Sequence, residues 1–450
     1  MRQDLKGFYR AVATLVIPLA LQNLINVGVS AADVFMLGMV GEKALAASSL
    51  AGQVQYIMTL IFFGLSSGAS VLIAQYWGKG NLDAIKKVLG ISVKIGLVVS
   101  VLFTVVTYAF PWQLMHLLTN DEEVMALGVK YMRIVCWSYV ISSMTMVYLN
   151  TMRSIERVVI SMGTYLVSLI VNIVFNAIFI FGLCGLPAMG IVGAACATLL
   201  ARVIEFVIVV VYDRKFNPVF RFSFSFFKKD ELLFKDYVKF SVPVVCNELM
   251  WGSGCAVITA IIGHLGSSMT AANSAAQVAR QLAVVLALGI ANATAIMIGK
   301  VIGEGKMELA REYGTRFVRL SLIVGAIGSM VILIVRPVLL AVMSLTPEAS
   351  EYLSLMMFVM TYFVFFQSYN TVLVVGIFRA GGDTKFGLLI DVGFMWGFSI
   401  TAGAIAAFVM KVPPMLVYVL LLSDEVLKVP FSTLRYKQRR WLNNCLLYTS

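Results

Sequence analysis

Charge is scarce in this chain: Asp, Glu, Lys and Arg make up 13% of its 450 residues, against 60% hydrophobic ones. A water-soluble globule needs far more polar surface than that, so the solvent for most of this chain is lipid. Only two histidines occur, His116 and His264, and neither has a ligand partner at helical spacing, so no metal centre is expected. The six cysteines, Cys136, Cys184, Cys196, Cys246, Cys255 and Cys445, show no CxxC and no metal-ligand spacing. They read as small core residues, which excludes a disulfide framework or a redox centre. Nothing pairs a nucleophile with a base, so no catalytic residue is assigned, and neither an enzyme nor a cofactor is expected.

Apolar length is what the chain has instead. A run of about 18 or more apolar residues reads as a bilayer span, since about 20 residues at the helical rise cross the hydrocarbon core. Such runs place spans at 11–37, 46–76, 88–111, 124–151, 158–182, 190–212, 237–262, 269–298, 316–337, 351–377, 386–410 and 413–433, about twelve helices. Several run past about 25 residues, so tilt or bends are expected. The first run is too long for a signal-peptide core and is expected to be retained.

The net charge of +12 does not point to nucleic acid, because its placement follows the spans. Arg2, Lys6, Arg10, Lys79, Lys86, Lys87, Arg153, Arg157, the stretch Arg214 to Lys239, Lys300 to Arg319, Arg379, Lys385 and Lys428 to Arg440 fall in one set of loops. The other set holds little beyond Lys43, Lys130, Arg133, Arg336 and Lys411, and it carries the acidic stretch Asp121-Glu122-Glu123. By the positive-inside rule both termini are expected in the cytoplasm, in a multi-pass plasma membrane protein.

The chain also repeats itself. A displacement of 225 pairs Pro18 with Pro243, Gly38 with Gly263, Gly41 with Gly266, Ala46-Ala47 with Ala271-Ala272, Gly64 with Gly289, Gly78 with Gly303 and Gly80 with Gly305. A displacement of 226 then pairs Arg153 with Arg379. Each half therefore holds six spans, and an even number keeps both halves in the same orientation, a parallel repeat about an axis along the membrane normal. The fold class expected is all-α, with two six-helix lobes: residues 1–213, a cytoplasmic linker at 214–236, residues 237–433, and a cytoplasmic basic tail at 434–450. Within that tail the last six residues, Cys445 to Ser450, differ in character and are given no role. Pro18 and Pro243 each remove a backbone hydrogen bond inside a span, so a helix bend is expected at both.

Ionisable groups at membrane depth are costly and are functional hypotheses by default. Asp33 follows Gln22, Asn23 and Asn26 in the first span, with Asn26 two helical turns before it on the same face. Asn172 and Asn176, four apart, share a face of the fifth span, and Thr198 lies in the sixth; together they make a plausible oxygen cage. In the second half stand Asn247 and Glu248 after Pro243, then Asn292, Gln367, Asn370 and Asp391. These are not copies of the first set: Asn23 maps onto Glu248, but Asp33 maps onto Ile258. For each Asn or Gln the alternative is interhelical glue worth about 0.6 kcal/mol. Asp33 and Glu248 have no Lys or Arg on their own helix faces, and a charge without a partner costs several kcal/mol. Glu205 with Arg202, and Asp424-Glu425 with Lys428, read as structural pairs.

In this order the residues resemble the multidrug and toxic compound extrusion (MATE) transporters over essentially the whole chain. The likeness is carried by Pro18 with Asp33-Val34-Phe35-Met36-Leu37-Gly38, the stretch Gly64 to Gly80, Arg153, Asn172 with Asn176, Gly193-Ala194-Ala195 before Thr198, Pro243 with Glu248, and Arg379-Ala380-Gly381-Gly382-Asp383-Thr384. The resemblance implies two lobes enclosing a cavity that opens alternately to each side, and export of drugs and other toxic organic compounds by a monomer, driven by sodium or proton entry. It implies a cation site at Asp33, Asn172, Asn176 and Thr198, and it places Asn26, Glu248, Asn292, Gln367, Asn370 and Asp391 at the substrate cavity or at second-lobe coupling. Two departures stand out: an Asp found in some proton-linked members is Asn176 here, and the tenth-helix Asp of others falls near Ser368. Hard oxygen donors favour sodium, whereas a desolvated lone carboxylate can instead carry a proton. The other reading is a flippase for lipids or lipid-linked oligosaccharides, which is expected to carry several cationic side chains in its cavity; Arg202 and Arg280 are the candidates.

Overall fold

The computed structural model describes residues 2–343 and 345–446. Of the six terminal residues given no role above, Cys445 and Leu446 are thus described, and Leu447 to Ser450 lie outside the described residues. Among the described residues every regular element is helical. The helices are α1 (Arg2–Val40), α2 (Glu42–Lys79), α3 (Leu82–Ala109), α4 (Pro111–Leu118), α5 (Glu122–Val135), α6 (Ser138–Ser154), α7 (Val158–Phe181) and α8 (Ile191–Val211). They continue as α9 (Glu231–His264), α10 (Ser267–Gly303), α11 (Met307–Val342), α12 (Pro347–Thr371), α13 (Thr384–Phe394), α14 (Thr401–Ala404), α15 (Pro414–Leu421) and α16 (Asp424–Lys437). Stretches of π-helix extend α12 (Val372–Phe378) and carry α13 onward (Met395–Ile400, Ile405–Val409).

Ten of these helices, counting their extensions, are long and apolar enough to cross a bilayer, and α5 with α6 makes an eleventh, bent by 53°. The span expected at 124–151, one of those long enough for a bend to be expected, is thus broken in two. At the break the Thr104 hydroxyl of α3 donates to the Cys136 carbonyl (3.1 Å), which also accepts the Tyr139 N–H, and the Ser138 hydroxyl donates to the Val135 carbonyl (2.6 Å). The twelfth expected span, 413–433, is also broken, into α15 and α16. The protein is an all-α, multi-pass membrane protein of about twelve spans. Val98, Leu102 and Val105 on α3, and Ile334 and Val338 on α11, are exposed on helices whose other faces are packed, as lipid-facing residues are.

The described residues form two compact units, one holding those up to Ala20, Ser70–Asn81 and those from Lys239 onward, the other Leu21–Ala69 and Leu82–Val238. In the second of these, Leu37, Ala47, Ala51, Met115, Met132 and Ile180 form a buried cluster. Asp213, at the end of α8, orders the start of the linker: it accepts from the Tyr148 hydroxyl (3.0 Å) and from the Phe222 N–H (2.9 Å).

The other unit has its core around Leu353, Met356, Met357, Met360, Tyr418 and Leu421. Within it the repeat becomes visible as a contact. A Cβ on Gly78 would fall on the Lys300 carbonyl oxygen, and a Cβ on Gly303 would fall on that of Gln75. The displacement of 225 that pairs Gly78 with Gly303 also pairs Gln75 with Lys300, so the ends of α2 and α10 cross through two reciprocal contacts that only glycine permits. Pro18 and Pro243 lie inside the continuous helices α1 and α9.

Candidate ion-binding site

Four helices of one unit deliver the first-half polar residues. From α1, Asp33 accepts a hydrogen bond from the Asn176 amide (2.5 Å), and the same Asn176 nitrogen donates to Asn172 Oδ1 (3.1 Å) along α7. Both asparagines are buried at 1% exposure or less, while Asp33 is half-buried. Asn176 Oδ1 is buried and has no hydrogen-bond partner. A buried carbonyl oxygen left unpaired costs about 1–3 kcal/mol, and here it stands beside a carboxylate, where a small cation would satisfy both. Thr198 on α8 is buried, and the phenol of Tyr131 from α5 lies close to both Thr198 and Asp33. Tyr131 went unnoticed in the sequence because nothing in its spacing links α5 to α1.

One turn after Thr198, Arg202 holds Glu205 through two bonds from one nitrogen (2.7 and 2.9 Å) and acts electrostatically on Asp33. Positive charge thus reaches Asp33 from α8, while its own helix face carries no Lys or Arg. Asn26 is exposed on α1, and its carbonyl accepts from the Ser30 hydroxyl (3.3 Å).

The other unit carries a larger ionic network. Glu248 has no Lys or Arg on its own helix face, but the Arg379 guanidinium, from the turn before α13, sits 2.7 Å away and 4% exposed. Next to it Asn247 donates to Asp391 (3.0 Å). Lys428 joins Asp391 (3.1 Å), Asp424 (3.3 Å) and Glu425 (2.9 Å) in one buried cluster. Asn370 donates to the Glu425 side chain (2.8 Å) and accepts from Ser432 (3.1 Å). Gln367 lies outside this network and accepts from Arg280 (3.2 Å), whose guanidinium also bonds Gln277 (3.1 Å) and covers the Phe363 ring. Asn292 is half-buried on α10.

Helices of bilayer length that bury a few paired carboxylates define an integral membrane protein with ion-binding potential inside its bundle. The MatE family profile matches residues 18–178 and again 243–405, two matches whose starts are 225 apart, and the chain belongs to that family. It is 27% identical to a probable multidrug resistance protein NorM of Rhizobium meliloti, over 72% of this chain and 69% of that one. It is 22% identical to the probable multidrug resistance protein YoeA of Bacillus subtilis, over 87% and 85%. Its fold matches a substituted form of the Vibrio cholerae MATE transporter VcmN with a TM-score of 0.87, at 19% identity and 98% coverage of both chains.

Proposed function

We propose that this protein is a secondary-active multidrug exporter that moves lipophilic, often cationic compounds outward in exchange for sodium or protons, by alternating access, with both termini in the cytoplasm. The relatives named for multidrug resistance support the export reading, and the placement of Lys and Arg supports the orientation. The observation that carries the coupling site is the Asp33–Asn176–Asn172 constellation with its unpaired Asn176 Oδ1.

The chemistry follows from that amide. With no ion present, Asn176 donates its N–H to the Asp33 carboxylate. Turning the amide by half a rotation aims Oδ1 at Asp33, which is favourable only when a cation or a proton lies between the two oxygens. Asn172 Oδ1 and the Thr198 hydroxyl supply further hard donors suited to sodium. Neutralising Asp33 from the outside biases α1, with Pro18 as its weak point, toward the form that releases drug; ion release inside resets it. One charge crossing 100 mV contributes about 2.3 kcal/mol, which limits accumulation to roughly fifty-fold per charge. The flippase reading has less support: it asks for free cations to face a lipid phosphate, and Arg202 and Arg280 are both engaged by side chains of this protein.

The test is drug efflux from proteoliposomes under imposed sodium or pH gradients. Export driven by a sodium gradient alone, and abolished in Asp33→Asn, is the expected result. Export by a pH gradient only assigns the proton instead, and normal export by Asp33→Asn under either gradient removes the site from the mechanism.

A further inference from the structure

After α16 the chain doubles back. Arg439 takes a left-handed backbone (φ 57°), rare for a residue with a side chain, and this turns the next residues under the helix end. Trp441, 1% exposed, stacks on Tyr436 (centroids 5.8 Å apart, planes at 9°), donates from its indole to the Tyr436 carbonyl (3.2 Å) and covers Gly314 of α11. Its own carbonyl oxygen occupies the place where a Cβ on Gly381 would be. Asn443 donates to the Gly381 carbonyl (3.3 Å), and its own carbonyl accepts from Gln75 at the end of α2 (3.3 Å). Gln75 is fully buried and donates as well to Ala380 (2.9 Å), in the same turn as Gly381. A first-half helix, the turn before α13 and the chain's tail are thus tied at one point.

The repeat shows that this arrangement is particular to the second half. The displacement of 226 that pairs Arg153 with Arg379 sets Ile155 against Gly381 and Glu156 against Gly382. The turn itself is common to both, since Glu156 and Gly382 share a positive φ (66° and 74°). The turn does not need glycine at the first position, for Ile155 serves there; at Gly381 the missing side chain admits Trp441.

We propose that residues 439–445 are a latch on the cytoplasmic gate: they bind α2 to the turn before α13 while that side is closed and must let go before the drug can enter from the cytoplasm. The proposal rests on the exporter reading and on cytoplasmic termini. On this proposal, opening that side separates the α2 end from second-half elements, and Gln75 ties that end to the tail twice, donating to the Asn443 carbonyl (3.3 Å) and accepting from the Cys445 N–H (2.8 Å).

Two experiments test it in proteoliposomes. In a variant whose other cysteines are replaced, Gln75→Cys and Asn443→Cys are joined by a short reducible bis-thiosulfonate linker. Export is expected before linking, to be lost after it and to return on reduction. Full export while linked overturns the latch; no export under any gradient, even unlinked, overturns the exporter reading and the latch with it. In the second, a chain ending at Gln438 is expected to half-saturate at about tenfold lower drug concentration on the cytoplasmic side, because the drug-accepting state is no longer held back. Gly381→Ala in the full chain should reproduce that shift and add nothing in the shortened chain. Unchanged half-saturation in the shortened chain, or an equal effect of Gly381→Ala in both backgrounds, overturns the proposal.

Discussion

Replacing Lys428 by methionine asks whether charge compensation holds the second-half network together. The ammonium is 4% exposed and faces three carboxylates, those of Asp391, Asp424 and Glu425, at 2.9 to 3.3 Å. Methionine keeps most of the length and apolar volume and removes the charge. Deleting one partner of a buried pair leaves an uncompensated charge and costs about 3–5 kcal/mol; three carboxylates around one cation put the loss at the upper end. Unfolding entropy grows with chain length at about 2.1 cal/mol/K per residue, so in a chain this long each kcal/mol moves Tm by about 1 °C. The expected drop for Lys428→Met is on the order of 5 °C, read by thermal unfolding of the detergent-solubilised protein. Adding Asp391→Asn should recover part of it, since one negative charge goes while a side-chain oxygen remains for the Asn247 amide. A Lys428→Met protein that melts within about 1 °C of its parent would refute the reasoning.

How far the sequence could be read depended on how local each signal was. Gly78 and Gly303 stood out because the two halves align without a gap, and their reciprocal contact gives a physical reason for keeping them. The α7 face with Asn172 and Asn176 was legible from a four-residue spacing. Asp33 could be grouped with it as an oxygen donor inside a span, although nothing on α1 says which helix it faces, and the family resemblance implied one cation site. The partner of Glu248 was hidden: Arg379 stands 131 residues away, in a turn where positive charge also fits the topology rule, so its second role left no trace in composition. Lys428 was placed with Asp424 and Glu425 because all three sit within one helical turn, while Asp391, 37 residues earlier, was not. The break at Cys136 could not be read either, because the hydroxyl that caps its carbonyl comes from Thr104 on another helix.

Two further outcomes follow from the contacts. Gly303→Val should force α10 away from the Gln75 carbonyl and cost about 1–3 kcal/mol as overpacking, with Gly78→Val alike; unchanged thermal stability of both would mean that the crossing is not tight. The Glu248–Arg379 pair separates a structural carboxylate from a coupling one. Glu248→Gln and Arg379→Met each remove one charge of the pair and should each lower stability by a few kcal/mol, whereas the double variant removes both and should lose less than the sum of the two. If Glu248 also binds the coupling ion, Glu248→Gln will reduce gradient-driven export while the double variant, with its stability restored, stays inactive. If the double variant exports normally, the pair is structural only and ion coupling lies with Asp33.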